Sequence, residues 1–391
     1  MTATDARSGA SAVSEELSWP LAKAVIDAAL EHAQAKGGVP ASLTFHGAGE
    51  PTLHWELLVR AVEYAKARDG ACRVSLSSNG VWTDEQRAFI CKHFHNVSLS
   101  MDGTRDVQNN QRPMAGGGGS FARVMETAAA LDEARVEYGI RMTALPASVH
   151  ALADGVRFIC HNTRAAAIQI EPTFTSCRGR YSDLDADFAD AFAAAFMDAW
   201  RAGLAAGRNV YYSGARPWVI SWAFCLAPIQ AMVVTPQGQL VTCFEMFSGA
   251  RAGVGAFTVG RVHEGRVAYD YEALRRFLAE QERGREGCRE CFCYWHCCGD
   301  CATRRQARGP FTAETQSSQR TTRHQKLETG NLVPPRLCGE DALSGRCRLT
   351  RAITRDMLAH YISAGQGVWQ GLRDGNGAGG DGRGGQGPGA R

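Results

Sequence analysis

The sequence predicts an α/β protein: an incomplete, TIM-like (β/α)6 partial barrel followed by a cysteine-rich domain with a β-hairpin and loops. Short apolar strand segments alternate with helical segments through the first half of the chain, which is typical of βα units around a parallel sheet. Polar and glycine-rich turns follow these strands, at the end where α/β barrels place their sites. Of the 14 cysteines in 391 residues, six lie between Cys288 and Cys301, which indicates a metal-binding second half.

The alternation begins with a helix over residues 14–36, for which Ser14 is the candidate N-cap. The pattern then predicts five strands, at 41–45, 73–78, 96–101, 138–144 and 166–171. Helices are predicted between them, at 54–69, 83–93, 120–135 and 148–161, and a longer helix at 184–206 ends this half.

Beyond Tyr211 the pattern changes. Residues 229–235 and 239–243 flank a Pro-Gln-Gly turn and predict a β-hairpin, and the polar residues 306–335 are predicted to be irregular. We therefore divide the chain into a disordered N-terminus (1–13), a barrel domain (14–215), a cysteine-rich domain (216–365) and a glycine-rich, disordered tail (366–391).

Composition and charge limit the cellular location and the binding partners that we expect for this protein. A net charge of +3 and a pI near 8.2 do not indicate binding to nucleic acid. The first residues carry no apolar export signal, and no apolar stretch is long enough to span a bilayer. We therefore expect a cytoplasmic protein with no nucleic-acid or membrane partner, in which cysteines bind metal rather than form disulfides.

The cysteine spacing is the most specific signal in the sequence. It reads Cys225-x12-Gly238-x4-Cys243, then Cys288-x2-Cys291-x5-Cys297-x3-Cys301, and then Cys347. Structural zinc is the main alternative to an iron–sulfur site, because CxxC pairs are common zinc ligands. Buried free thiols do not explain so dense a cluster, since packing alone does not gather cysteines in sequence.

This spacing resembles the SPASM domain of radical SAM peptide and protein maturases. The resemblance implies two auxiliary [4Fe–4S] clusters. The implied ligands of the first cluster are Cys288, Cys291, Cys297 and Cys347. Those of the second cluster are Cys225, Cys243 and Cys301. The second cluster then has either an open iron or a fourth ligand among Cys293, Cys298 and Cys338, and Cys338 is also an alternative to Cys347. Outside the motif, Cys72, Cys91, Cys160 and Cys177 are expected to be ordinary thiols.

The first half of the chain is similar to a radical SAM core. The residues that carry this resemblance are separate from the cysteine motif. The segment Phe45–Pro51 (FHGAGEP) resembles the family's GGEP segment, Ser77–Gly80 (SSNG) its TNG-like turn, and Ser100–Gly103 (SMDG) its SLDG turn. The resemblance implies that S-adenosylmethionine (SAM) is bound at these strand ends. The implied cofactor-binding residues are Gly47, Gly49, Glu50, Ser78, Asn79, Ser100, Asp102, Arg141 and Glu171.

One family element does not occur in the printed chain. The family binds its catalytic cluster through a CxxxCxxC segment after the first strand, whereas the first cysteine here is Cys72. Three explanations remain: a misassigned start codon, a truncated relic, or a degenerate partner that binds peptide or carries electrons. We favour the first and expect an in-frame CxxxCxxC upstream of Met1.

The resemblance predicts a radical SAM/SPASM-type maturase that modifies a peptide or protein side chain through a 5′-deoxyadenosyl radical. Its partners would be a peptide or protein substrate and an electron donor such as a flavodoxin or ferredoxin.

Phe244-Glu245 follows Cys243, where sulfatase-maturing relatives carry an Asp as the proposed base, so we favour ribosomal-peptide maturation. Glu245 is the candidate base, against the alternative of a solvated hairpin carboxylate. The second hypothesis is a non-catalytic iron–sulfur scaffold or peptide-binding partner.

Overall fold

A parallel sheet of six strands organises the first half of the protein. The computed structural model describes residues 16–47, 49–173, 186–246, 254–306 and 345–363. The strands are β1 (Ser42–Phe45), β2 (Arg73–Ser78), β3 (Asn96–Ser100), β4 (Glu137–Ala144), β5 (Ala167–Pro172) and β6 (Asn209–Tyr211). They pair in sequence order and every pair is parallel, so all their carboxyl ends lie at one edge of the sheet.

Seven helices connect these strands or flank them. They are α1 (Trp19–Ala35), α2 (Trp55–Arg68), α3 (Asp84–His93), α4 (Arg105–Gln111), α5 (Phe121–Glu133), α6 (Leu152–Asn162) and α7 (Ala186–Ala205). A capping box between Thr83 and Gln86 begins α3. The predicted N-cap Ser14 is wrong, because α1 begins at Trp19 with Ser18 at the N-cap and Pro20 in its first turn.

The five predicted strands are confirmed to within a residue or two at each end, and together with β6 they form the expected α/β partial barrel. The first half of the predicted hairpin needs correction. Residues Ala227–Gln230 form a short helix, α8, with Pro228 in its first turn, and strand structure begins only at Val233.

The two faces of the parallel sheet differ in polarity. Apolar strand residues such as Val74, Leu99 and Ile140 are fully buried against the helices. Their neighbours in sequence point to the opposite face and are polar and only half-buried, as in Ser77, Ser98, Ser100, Arg141 and Gln169. Because side chains alternate along a strand, the sheet presents one continuous polar face.

A second, antiparallel sheet follows in the order β10-β9-β8-β7. Its strands are β7 (Val233–Val234), β8 (Gln239–Val241), β9 (Thr258–His263) and β10 (Arg266–Tyr269). The short helix α9 (Val254–Phe257) leads into β9, and α10 (Tyr271–Arg283) follows β10. Phe257 and Phe277 pack together in a small core beside this sheet, with ring centroids 5.5 Å apart.

The cysteine-rich region contains little regular structure. Two short helices, α11 (Tyr294–Cys297) and α12 (Ala302–Gln306), lie among the cysteines, and the long helix α13 (Gly345–Ser363) returns to the barrel half. Leu349, Ile353 and Met357 of α13 are buried in the same core as Phe192 and Phe196 of α7. The predicted irregular segment from residue 307 onwards and both predicted disordered ends lie outside the described residues.

Across the described ranges, no helix combines the length and the apolar character that a membrane crossing requires.

Candidate functional site

Glu50 joins the first two strand-end turns. Its Oε1 accepts hydrogen bonds from the Thr52 hydroxyl at 2.9 Å and from the Ser78 hydroxyl at 2.7 Å. Its Oε2 accepts from the backbone N–H of Asn79 at 2.7 Å. The carboxylate therefore holds the turn after β1 against the end of β2, and most of its hydrogen-bonding capacity is used within the protein.

Ser78 and Asn79 differ in how accessible they are. The Ser78 residue is buried, and its hydroxyl oxygen accepts from Trp82 Nε1 at 2.8 Å in addition to its bond with Glu50. Asn79 is exposed, and its Oδ1 accepts from the N–H of Val81 at 2.8 Å, which closes the turn. Of the two, Asn79 is the residue that presents polar groups to solvent.

Gly47 and Gly49 border open space. A Cβ placed on either residue would meet no atom within 4 Å, so packing among the described residues does not require glycine at these positions. Such a turn leaves room for a ligand to approach the backbone closely. The neighbouring His46 ring lies 4.9 Å from the ring of Phe244, which directly follows Cys243. The glycine turn is therefore adjacent to the cysteine-rich half.

Asp102 forms a buried ion pair at the end of β3. Its Oδ2 accepts from Arg112 Nε at 2.7 Å, and its Oδ1 accepts from the backbone N–H of Thr143 at 2.8 Å. Arg112 also donates through Nη2 to Oδ1 at 3.2 Å. The carboxylate of Asp102, one of the implied cofactor-binding residues, thus connects the ends of β3 and β4.

A row of polar residues crosses the sheet beside these turns. The strand register pairs Ser100 with Arg141, Arg141 with Gln169, and Gln169 with Tyr211. The sequence analysis did not identify Gln169 or Tyr211. Gln169 could have been found, since it lies between two apolar residues of a predicted strand, whereas Tyr211 belongs to a strand that was not predicted.

Glu171 links this row to the cysteine-rich half. Its Oε1 accepts from Gln169 Nε2 at 2.9 Å and from the backbone N–H of Ser213 at 3.0 Å. Its Oε2 lies 3.9 Å from Arg304 Nη2, three residues after Cys301. Glu171 is 3% exposed, so this ion pair is shielded from solvent.

Cys225 and Cys243 both lie near Cys301. Partial burial raises the pKa of Cys225, and the nearby thiol of Cys301 adds to this increase. Burial likewise raises the pKa of Cys243 to about 11, again with a contribution from Cys301. The Sγ of Cys243 lies 3.0 Å from the hydroxyl oxygen of Thr303 and accepts from the N–H of Glu245 at 3.4 Å.

Cys288, Cys297 and Cys347 form a second group. Burial raises the pKa of Cys297 to about 12, and Asp300, Cys347 and Cys288 all contribute to the increase. Cys291 belongs to the same loop and hydrogen-bonds with Cys293, which lowers the pKa of Cys291 and raises that of Cys293. The structure therefore places Cys293 beside Cys291 and near Cys297.

The remaining cysteines lie elsewhere. The buried Cys298 thiol donates to the carbonyl oxygen of Ser221 at 3.2 Å. Cys72 is buried in the core under α1 and α2, and Cys91 and Cys160 are half-buried. Cys177 and Cys338 lie outside the described residues.

The seven motif cysteines suit iron–sulfur clusters chemically. Thiolates are the usual ligands of [4Fe–4S] clusters, and each thiolate binds a different iron. Within the part of the chain that the structure describes, no three His, Cys, Asp or Glu side chains converge so as to hold a single metal ion. The thiols that share one cluster need not converge on one point, so the two groups fit this kind of cofactor.

Comparison with known proteins agrees with this architecture. Residues 13–158 match the family model of the Radical SAM superfamily. The structure titled "Native anSMEcpe with bound AdoMet" superposes with a TM-score of 0.59 at 16% identity, over 89% of this chain and 90% of that chain. Its form with bound Kp18Cys peptide gives the same values. SuiB of Streptococcus suis matches with a TM-score of 0.46 at 16% identity, over 72% of this chain and 67% of that chain. Residues 13–158 therefore match the radical SAM superfamily, and the fold shared with the anSMEcpe structures extends into the cysteine-rich C-terminal region.

Proposed function

We propose that this protein is a radical SAM maturase that modifies a peptide or protein side chain and carries two auxiliary [4Fe–4S] clusters. The observation that carries the proposal is the separation of the motif cysteines into two groups. One contains Cys225, Cys243 and Cys301, and the other contains Cys288, Cys297 and Cys347. Cys291 lies in the loop of the second group.

The polar edge of the barrel supports SAM as the cofactor. Open space surrounds Gly47 and Gly49, Asn79 is exposed, and Ser100 and Arg141 lie side by side on the polar sheet face. Bound SAM would supply a 5′-deoxyadenosyl radical for hydrogen abstraction. In this arrangement Glu50, Asp102 and Glu171 position the strand ends, while the glycine turn and Asn79 contact the cofactor.

Two features support a peptide or protein as the substrate. The cysteine-rich half lies next to the glycine turn through the contact between His46 and Phe244, so both proposed cofactor sites border one region. The anSMEcpe structures that share the fold include forms with bound peptides. Glu245 remains the candidate base because of its place two residues after Cys243, where its backbone N–H donates to the Cys243 sulfur at 3.4 Å. An electron donor such as a flavodoxin or ferredoxin would complete the system.

A second function, a non-catalytic iron–sulfur scaffold or peptide-binding partner, is favoured by one observation. Cys72, the first cysteine of the sequence, is 1% exposed within an apolar core. A thiol so placed does not bind a cluster that must also bind SAM. Both functions require the auxiliary clusters, but only the maturase performs radical chemistry.

Metal analysis tests the part that the two functions share. Protein prepared without oxygen and supplied with iron and sulfide should hold about eight irons per chain and absorb near 400 nm. Changing both Cys243 and Cys291 to Ala should remove most of this iron. Cys160→Ala is the control, since Cys160 lies on α6 outside both groups, and it should retain the iron. Bound zinc in place of iron, or full iron in the double variant, would contradict the proposal.

Product analysis separates the maturase from the scaffold. The iron-loaded protein is incubated with SAM and a strong reductant, and 5′-deoxyadenosine is measured. The same assay is repeated with a form extended by its in-frame upstream codons. Product from either form supports the maturase, whereas no product from both forms supports the scaffold.

A further inference from the structure

The chain makes an unusual left-handed turn between Cys297 and Cys301. Cys298, Gly299 and Asp300 have φ values of 50°, 76° and 72° in succession. Glycine adopts positive φ values easily, but cysteine and aspartate do so rarely. Only a conformation held by its surroundings persists in this region.

This turn decides where the two flanking thiols point. On a right-handed helix, residues four apart lie on the same face, so Cys297 and Cys301 would be neighbours. In the structure they belong to different groups. Cys297 interacts with Cys347 and Cys288, while Cys301 interacts with Cys225 and Cys243. The left-handed turn therefore separates two cysteines that are close in sequence.

A buried ion pair holds the turn in place. The Oδ2 of Asp300 accepts from Arg346 Nε at 2.7 Å, and its Oδ1 lies 3.5 Å from Arg304 Nη1. Arg346 is 3% exposed and Asp300 is 9% exposed. Arg346 directly precedes Cys347 on α13, so one contact joins the turn to the last motif cysteine. Arg304 extends the contact to Glu171 at the end of β5.

We propose that Asp300 and Arg346 are a positioning pair that locks this left-handed turn, so that Cys297 and Cys301 are assigned to different clusters. The proposal rests on the proposed function in one respect, namely that the two cysteine groups bind clusters. Neither residue touches a reacting atom. The pair determines which cluster each cysteine binds. It therefore affects the amount of bound iron and the spectrum of each cluster.

The first test compares two arginines on the same helix. Arg348 of α13 makes a similar two-point ion pair with Asp190, at 3.0 and 2.8 Å, but this pair is exposed. Arg346→Met should lose about half of the bound iron or more and change the electron paramagnetic resonance signals of the reduced clusters. Arg348→Met should keep the iron content and the signals of the parent protein. Equal behaviour of the two variants would overturn the proposal, whereas a parent protein without iron would instead overturn the proposed function.

The second test separates loss of the turn from a general failure to fold. Asp300→Ala and Asp300→Gly both remove the carboxylate, but only glycine adopts the left-handed conformation easily. We expect Asp300→Gly to hold at least about twice as much iron as Asp300→Ala. Circular dichroism of the metal-free variants checks that both fold. If both variants fold and hold equal amounts of iron, the pair of Asp300 and Arg346 does not act through the conformation of this turn.

Discussion

At the scale of single residues, the acidic side chains at the strand ends connect elements of the protein to one another. Glu50 joins the turn after β1 to β2, and Asp102 joins β3 to β4. A carboxylate whose oxygens already accept several hydrogen bonds has little capacity left for a ligand. We infer that these residues shape the proposed cofactor site, beside the exposed amide of Asn79.

Glu50→Gln tests this role. An amide offers one acceptor oxygen in place of two, so either the hydroxyls of Thr52 and Ser78 or the N–H of Asn79 must lose its acceptor. The free energy of unfolding should fall by about 2 kcal/mol, the usual worth of hydrogen bonds to a charged group. Urea denaturation measures the change. Glu56→Gln on α2, an exposed position, is the control and should have no effect; an equally stable Glu50→Gln variant would exclude the role.

The sequence predicted that Glu50, Ser78 and Asp102 would lie at strand ends, but not which residues would be their partners. Glu50, Ser78 and Asp102 each follow a strand, and parallel strands bring such residues to one edge. Arg112 as the partner of Asp102 depends on how the loop after β3 folds back, and spacing alone does not reveal this. Sequence spacing likewise does not reveal that Asp300 pairs with Arg346, which lies 46 residues away in sequence.

At the scale of elements, long periodic segments were predicted well and short or polar ones were missed. The strands β2 and β4 carry clear alternation over six and eight residues. By contrast, β6 has only three residues, too few for a period to be recognised. The helix α10 is rich in charged residues and was not predicted, although Leu274, Phe277 and Leu278 have helical spacing.

The contact between the turn after β3 and helix α6 gives a prediction at this scale. Gly103 has a φ of 104°, and a Cβ there would lie 2.6 Å from the Cα of Gly155. Gly103→Ala should lower the free energy of unfolding by about 3 kcal/mol, because it combines an unfavourable backbone conformation with an overlap against α6 backbone. Urea denaturation measures the loss.

Gly116→Ala is the matched control, since a Cβ at that position meets nothing within 4 Å. Its stability should stay within about 0.5 kcal/mol of the parent protein. If Gly103→Ala behaved like this control, α6 would not approach the turn as closely as described.

At the scale of the whole molecule, the two halves share a core. Helix α13 follows the motif cysteines in sequence but packs on α7 of the barrel half, where Ile353 is fully buried beside Phe192 and Phe196. The sequence boundary near residue 215 marks a change of pattern, whereas this packing joins the segments on either side of it. Sequence periodicity shows which face of a helix is apolar but not which distant helix covers it.

Ile353→Ala should therefore destabilise the barrel as well as the cysteine-rich region. We expect a loss of about 3 kcal/mol, typical of a large apolar side chain removed from a closed core. Ile362→Ala on the same helix is the control, because Ile362 is 77% exposed. Thermal unfolding should show one transition shifted as a whole. Two transitions, of which only one shifts, would mean that the halves are stable independently.

The position of α13 also has a consequence for synthesis. During translation the chain leaves the ribosome from its N-terminus, and domains generally fold as they emerge. The core around α7 receives Leu349, Ile353 and Met357 only after residue 357 has been made, so the barrel half stays incomplete until then. Cys347 lies on the same helix. Closure of the barrel and delivery of the last motif cysteine thus depend on one late event.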